Sequence, residues 1–189
     1  MRRALTVTLL GLVCTSGFAL NNRSAVSVTG SDLASCTVPD PCRTFGVAIA
    51  ATNPGGEVIA LSSGGYGAFT ISQSVSVIAN AGVHASISPT SGDAIDINAP
   101  GGNVLLRGLT LTSLGASSGI YPSSFSELNI VACNISGFGQ GVFVYNNGSD
   151  FHVYMSESRI TRNSGNGFYA FDVFDFFNQL FKMRGIVDK

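Results

Sequence analysis

Short apolar segments broken by Gly, Ser and Asn run through most of this chain. Glu57-Val58-Ile59-Ala60-Leu61, Val75-Ser76-Val77-Ile78, Ala94-Ile95-Asp96-Ile97 and Asn103-Val104-Leu105-Leu106 each have the length and residue types of a strand. Any one of them would suit a sandwich, and only a repeat distinguishes the architectures. Leu109-Thr110-Leu111, Cys133-Asn134-Ile135 and Ser158-Arg159-Ile160 end at positions 24 and 25 residues apart, and a step of 24 back from Leu111 reaches Ile87. Seven residues before the three anchors stand Val104, Leu128 and Val153; five before stand Leu106, Ile130 and Met155. After them come Gly119-Ile120, Gly141-Val142 and Gly167-Phe168, at offsets of 8, 6 and 7 residues, so length variation falls in the connecting turn. Arg107, Ala132 and Glu157 read as a further column between the strands. Three short strands per repeat predict an all-β coil whose turns stack in parallel, because one repeat alone has no interior. The expected rod has about five coils over residues 55–170, with Ile87, Leu111, Ile135 and Ile160 as one core column.

Both ends depart from the repeat. Residues 20–43 are polar and turn-rich. Phe45, Ala48, Ile49 and Thr52 then recur at helical spacing until Asn53-Pro54-Gly55-Gly56, which predicts a short helix over 44–54 covering the first coil. At the other end, Val173, Phe176, Phe177 and Leu180 would line one face of a helix within Phe171–Met183. Two readings of the Phe-rich tail, 171–189, stand side by side: a C-terminal cap, or the point where a longer protein loses its remaining coils.

Composition narrows the destination. Charged residues make up 11% of the chain, there are 23 Gly and no Trp, and the formal net charge is −1. Nothing here recommends nucleic acid as a partner. Arg2 and Arg3, the apolar run Ala4–Val13 and the small residues up to Ala19 have the layout of a secretory signal peptide over 1–19, cut between Ala19 and Leu20. The run is too short to span a membrane. A lipoprotein reading of Cys14 fits less well, since Val13 stands where such signals place a small residue. Secretion, periplasmic or extracellular, is therefore expected. In an oxidising compartment Cys36 and Cys42, flanking Thr37-Val38-Pro39-Asp40-Pro41, form a natural disulfide. Cys133 reads as a small buried apolar side chain.

Several stretches resemble bacterial right-handed parallel β-helix repeat proteins of the pectin-lyase-like superfamily. They are Pro41-Cys42-Arg43-Thr44-Phe45 with Ala48-Ile49, Gly64-Gly65-Tyr66-Gly67, Leu106-Arg107-Gly108-Leu109, Cys133-Asn134-Ile135-Ser136-Gly137-Phe138 and Ser158-Arg159-Ile160. The resemblance covers Cys36 to about Asn166. It implies a right-handed coil and an exported protein. It does not select an activity, because such folds host lyases, hydrolases, adhesins and tailspikes alike.

Catalysis on polysaccharides by that superfamily would need clustered carboxylates, as an acid–base pair or as calcium ligands. All 11 acidic residues follow the expected cut, but they are scattered. Asp93 and Asp96 are closest, yet three residues apart on a strand they face opposite sides unless a bulge intervenes. Glu127 and Asp150 precede successive strands, and are the nearest approach to a catalytic or calcium-binding pair. His84 and His152 read as surface or turn residues. Tyr66, Tyr121 and Tyr145 read as core-edge packing, with a sugar-stacking strip as the rival use. No cofactor is implied. The expectation is a non-catalytic protein that binds a polysaccharide or another cell-surface component; the alternative is a polysaccharide lyase or glycoside hydrolase.

Overall fold

The computed structural model describes residues 20–146, 151–172 and the backbone of 180–187. The expected signal peptide, Ala19 and Asp150 lie outside these residues. The chain begins with strand β1 (Asn21–Val26) and helix α1 (Phe45–Ala50). A first coil follows as β2 (Thr52–Ala60), β3 (Gly64–Gly65) and β4 (Phe69–Ile71), and a second as β5 (Val75–Ala79), β6 (Ala85–Ile87) and β7 (Asp93–Asn98). The third holds β8 (Asn103–Arg107), β9 (Leu109–Thr112) and β10 (Ser118–Ser124), and the fourth β11 (Glu127–Val131), β12 (Asn134–Ser136) and β13 (Gln140–Asn146). A further rung is begun by β14 (His152–Thr161) and β15 (Phe168–Asp172), and β16 (Leu180–Val187) closes the described chain. The protein is an all-β parallel solenoid of about four turns, against the five expected.

The coil presents three faces. The first stacks β1, β2, β5, β8, β11 and β14; the second stacks β3, β6, β9 and β12. These two join because β14, ten residues long, pairs with β11 through its first half and with β12 through its second. The third face is a separate five-stranded sheet, β4-β7-β10-β13-β15. Inside the coil, Ile87 pairs with Leu111, Leu111 with Ile135 and Ile135 with Ile160. All four are fully buried. Val104, Leu128 and Val153 stack likewise beneath the first face. Phe125 and Phe151, ring centroids 5.2 Å apart, fill the corner between the third face and the first.

The first face begins earlier than its expected start, since β1 lies inside the polar segment 20–43 and pairs in parallel with β2. Cys36 and Cys42 form a disulfide with Cα atoms 4.6 Å apart. Their loop is tied to β1: the Ala25 N–H donates to the Cys36 carbonyl and the Cys42 N–H to the Ala25 carbonyl. Asp32 then sets the entry to α1, accepting from the Arg43 and Thr44 N–H groups, both at 2.9 Å, and from the Thr44 hydroxyl at 3.0 Å. The helix is shorter than 44–54. Thr52 hydrogen-bonds back to the Ala48 carbonyl at 2.6 Å, and Asn53–Gly56, expected as a stop, already belong to β2. Phe45 packs between Tyr66 and Phe69, at centroid distances of 5.0 and 4.9 Å.

The tail also departs from expectation. Phe171 and Asp172 end β15, and Leu180–Met183 are strand rather than helix, with Phe181 opposite Val153 and Met183 opposite Met155. The remaining positions proposed for the helix, Val173, Phe176 and Phe177, lie outside the described residues.

The column read as Arg107, Ala132 and Glu157 is displaced by one residue at its first member. Arg107 pairs with Val131, and the residues that turn the corner between first and second faces are Gly108, Ala132 and Glu157. Their φ values are 72°, 53° and 55°, the left-handed region that costs a side-chain-bearing residue about 1–2 kcal/mol. Ala132→Gly is therefore expected to stabilise the protein by up to about 1 kcal/mol, the reverse of the usual penalty for glycine in regular structure. A denaturant midpoint lower than wild type would contradict this account of the corner.

Candidate functional site

Each face of the coil exposes one side-chain set, because outward positions stack in register just as inward ones do. The second face is hydroxyl- and amide-rich, with Ser86, Thr110, Asn134 and Arg159 in one outward column. On the first face Asn103, Glu127 and His152 align. Glu127 accepts a 2.6 Å hydrogen bond from the Asn129 amide, and the His152 ring stacks on Tyr154 with centroids 6.3 Å apart. His84 lies by the second face, its Nδ1 3.5 Å from the Thr110 hydroxyl. Glu127 is thus occupied by a neighbouring amide, and its expected partner Asp150 is not among the described residues.

The third face differs in kind. Its outward column runs Thr70, Asp96, Tyr121, Phe143 and Tyr169, one residue from each strand. Neighbouring rings keep close company: Tyr121 to Phe143 is 5.5 Å between centroids, and Phe143 to Tyr169 is again 5.5 Å. Beside them Tyr145 and Phe171 stack at 5.8 Å with planes only 6° apart. Tyr169 and Phe171 remain 38% and 44% exposed, well beyond what aromatic side chains in a finished core retain. Tyr66, the first of the three tyrosines proposed for a strip, is not part of it. It is 3% exposed in the core, and its hydroxyl donates to the Ser62 carbonyl at 2.5 Å. Phe143, Tyr169 and Phe171 were not singled out by sequence; their signal lies in the spacing from Tyr121 and Tyr145, visible only once the register is known.

Two carboxylates stand at one end of this strip. Strand alternation would have sent Asp93 and Asp96 to opposite faces, but Ala94 and Ile95 are both fully buried, which breaks the alternation between them. Asp93 pairs with Ser118 and Asp96 with Tyr121 on the next strand. Asp96 titrates above the ordinary carboxylate range because it is partly buried and because the Asp93 charge is close. The Tyr121 phenol is likewise held protonated by burial, and then by Tyr145, Asp93 and Asp96. Asp93 Oδ1 is buried and has no hydrogen-bond partner among the described residues. The rest of the Asp93 residue lines a shallow groove of about 670 Å³ with Ser118, Gln140, Tyr121 and Phe143.

A carboxyl raised in the folded state favours folding below its unfolded value, and loses that contribution as pH rises through the folded one. At neutral pH the ionised Asp96 is therefore a small liability. Asp96→Asn should raise stability by a few tenths of a kcal/mol there, solvent screening keeping the effect small. The gain should vanish as acid protonates Asp96. Equal melting gains for Asp96→Asn at acidic and neutral pH would refute the assignment.

Neither a family model, nor a curated protein, nor a solved structure matches this chain. Identification therefore rests on the fold and its surfaces. The Cys36–Cys42 disulfide points to an oxidising, extracellular-type environment. No helix among the described residues is long and apolar enough to cross a membrane. Nor do the described residues contain a group of three or more His, Cys, Asp or Glu side chains able to hold a metal ion. Cys133 is buried, its thiol pushed up to about 11 by desolvation, and it donates to the Leu106 and Val131 carbonyls. A thiol in that state is not a nucleophile.

Proposed function

We propose that this is an exported glycan-binding protein, with the third face as its binding surface. The observation that carries the reading is the outward column Tyr121, Phe143 and Tyr169 with Tyr145 and Phe171 beside it. Flat aromatic faces present apolar, electron-rich planes against which the C–H faces of sugar rings pack. The strip crosses successive strands, so its length follows the rod axis and suits a linear chain. Asp93, Asp96, Ser118 and Gln140 supply the hydrogen-bonding groups that fix orientation in such sites. The signal-like N-terminus, the disulfide and the resemblance to exported right-handed β-helix proteins support an extracellular destination.

Binding to a soluble glycan array tests the reading. Phe143→Ala should weaken binding to any retained glycan by about tenfold, as loss of one aromatic platform implies. Tyr154→Ala, on the first face, should leave affinity unchanged. No retained glycan, or dependence on Tyr154 instead of Phe143, would overturn the proposal.

One observation favours a second reading, glycoside hydrolysis. A carboxyl raised by burial beside a second carboxylate is the state in which hydrolases keep their general acid. New reducing ends from an oligosaccharide panel, abolished by Asp96→Asn, would establish it.

A further inference from the structure

We infer that the third face selects glycans bearing free amino groups over acidic or neutral ones. This inference rests on the glycan-binding reading and names the ligand class of the same surface. The first support is the distribution of charge. Arg23 is paired with Glu57 on the first face, and Arg43 donates to the Gly65 carbonyl beside Tyr66. Arg107 lies on β8 of the first face. Arg159 and Arg162 line a small polar recess on the second face with Asn134 and Ser136. No described cationic side chain lies on the strands of the third face. Among the described side chains, the charges on those strands are Asp93 and Asp96, adjoining the rings of Tyr121 and Phe143.

The second support is the placing of the two carboxylates against the rings. Asp93 lines the groove with Tyr121 and Phe143, and Asp96 is the neighbour of Tyr121 on the adjoining strand. A neutral sugar would offer these carboxylates a hydroxyl. A protonated amine offers a charge-assisted hydrogen bond, roughly twice as strong. The same ammonium placed against Tyr121 or Phe143 gains a cation–π contact. A uronic acid meets two carboxylates and no cation, so its own charge is repelled. Aromatic planes hold the ring, and the carboxylates read the substituent.

The test compares four hexasaccharides against the full chain at mildly acidic pH, where the amine is protonated. They are β-1,4-glucosamine, its N-acetylated form, a β-1,4-glucan and a polygalacturonate. Calorimetry should find the glucosamine oligomer bound at least about tenfold more tightly than its N-acetylated form, and the galacturonate weakest. In the Asp93→Asn/Asp96→Asn double variant that preference should collapse to near parity. A cooperative melting transition no lower than that of the wild type shows that the variant is folded. Equal affinity of the wild type for glucosamine and N-acetylglucosamine oligomers, or retention of the preference in the double variant, would overturn the inference and leave the glycan-binding reading standing. Binding of none of the four, together with an empty array, would remove both.

Discussion

Leu111→Asp and Ile135→Asp should each abolish the cooperative unfolding transition of this protein. Both side chains are fully buried, and each sits between like neighbours above and below, Leu111 between Ile87 and Ile135 and Ile135 between Leu111 and Ile160. A carboxylate there has no cation and no spare donor. The backbone amides nearby are committed to the parallel ladder, so ionisation or forced protonation both cost several kcal/mol. Domains of this size are stable by about 5–15 kcal/mol, so the substitution removes most or all of the margin. Thr110→Asp is the matched control. Thr110 precedes Leu111 on the same strand but points outward, and aspartate there should shift stability by no more than about 0.5 kcal/mol. Circular dichroism melts of the three variants decide the matter. A native-like melt for Leu111→Asp would mean that the register is wrong, and with it the assignment of every outward column, the aromatic strip included.

That column was legible in the sequence for a physical reason. In a stacked coil a residue's partner above is the residue one repeat later, so self-similarity along the chain is nearly a contact map. The second face repeats regularly, and the step of 24 or 25 residues locates Leu111 opposite Ile135 and Ile135 opposite Ile160 without other information. The third face was opaque because the turns ahead of it vary. Ile95, Ile120, Val142 and Phe168 form one inward column there, with steps of 25, 22 and 26 residues. No single period aligns Tyr121 with Phe143 and Tyr169, so the rings looked unrelated. The break in alternation at Ala94–Ile95 hid the carboxylates in the same way.

The tail failed for a different reason. Phe and Leu at three- and four-residue spacing fit a helix by pattern alone, whereas Phe181 sits opposite Val153 at a step of 28, against 24 and 25 for the two steps just before it on that face. Polar-looking residues 21–26 became a strand because a stacked neighbour, β2, offers its free edge, and local propensity yields to that pairing.

The glycines that recur before Ile120 and Val142 carry the other large expected effect. Read from sequence they look like turn residues that tolerate unusual φ. In the structure Gly119 and Gly141 lie within β10 and β13 and are not among the positive-φ residues. Their requirement is space. A Cβ on Gly119 would stand 2.6 Å from the Ile135 Cγ2 atom and 3.3 Å from the Phe138 ring. One on Gly141 would collide with the Ile160 Cγ2 atom and the Gly167 carbonyl, and would stand 2.8 Å from the Asn163 amide. The core column and the third sheet are thus pressed together at these glycines, with backbone atoms unable to yield. Gly141→Val, though valine is the better strand former, should cost about 3 kcal/mol or more. Gly65→Val is the contrast, since a Cβ at Gly65 meets nothing within 4 Å. Chemical denaturation should separate the two variants by a clear shift in midpoint at similar slope. If Gly141→Val matched wild type, the close approach of Ile160 to β13 would be wrong. The third sheet would then stand further from the column than its outward strip of rings requires.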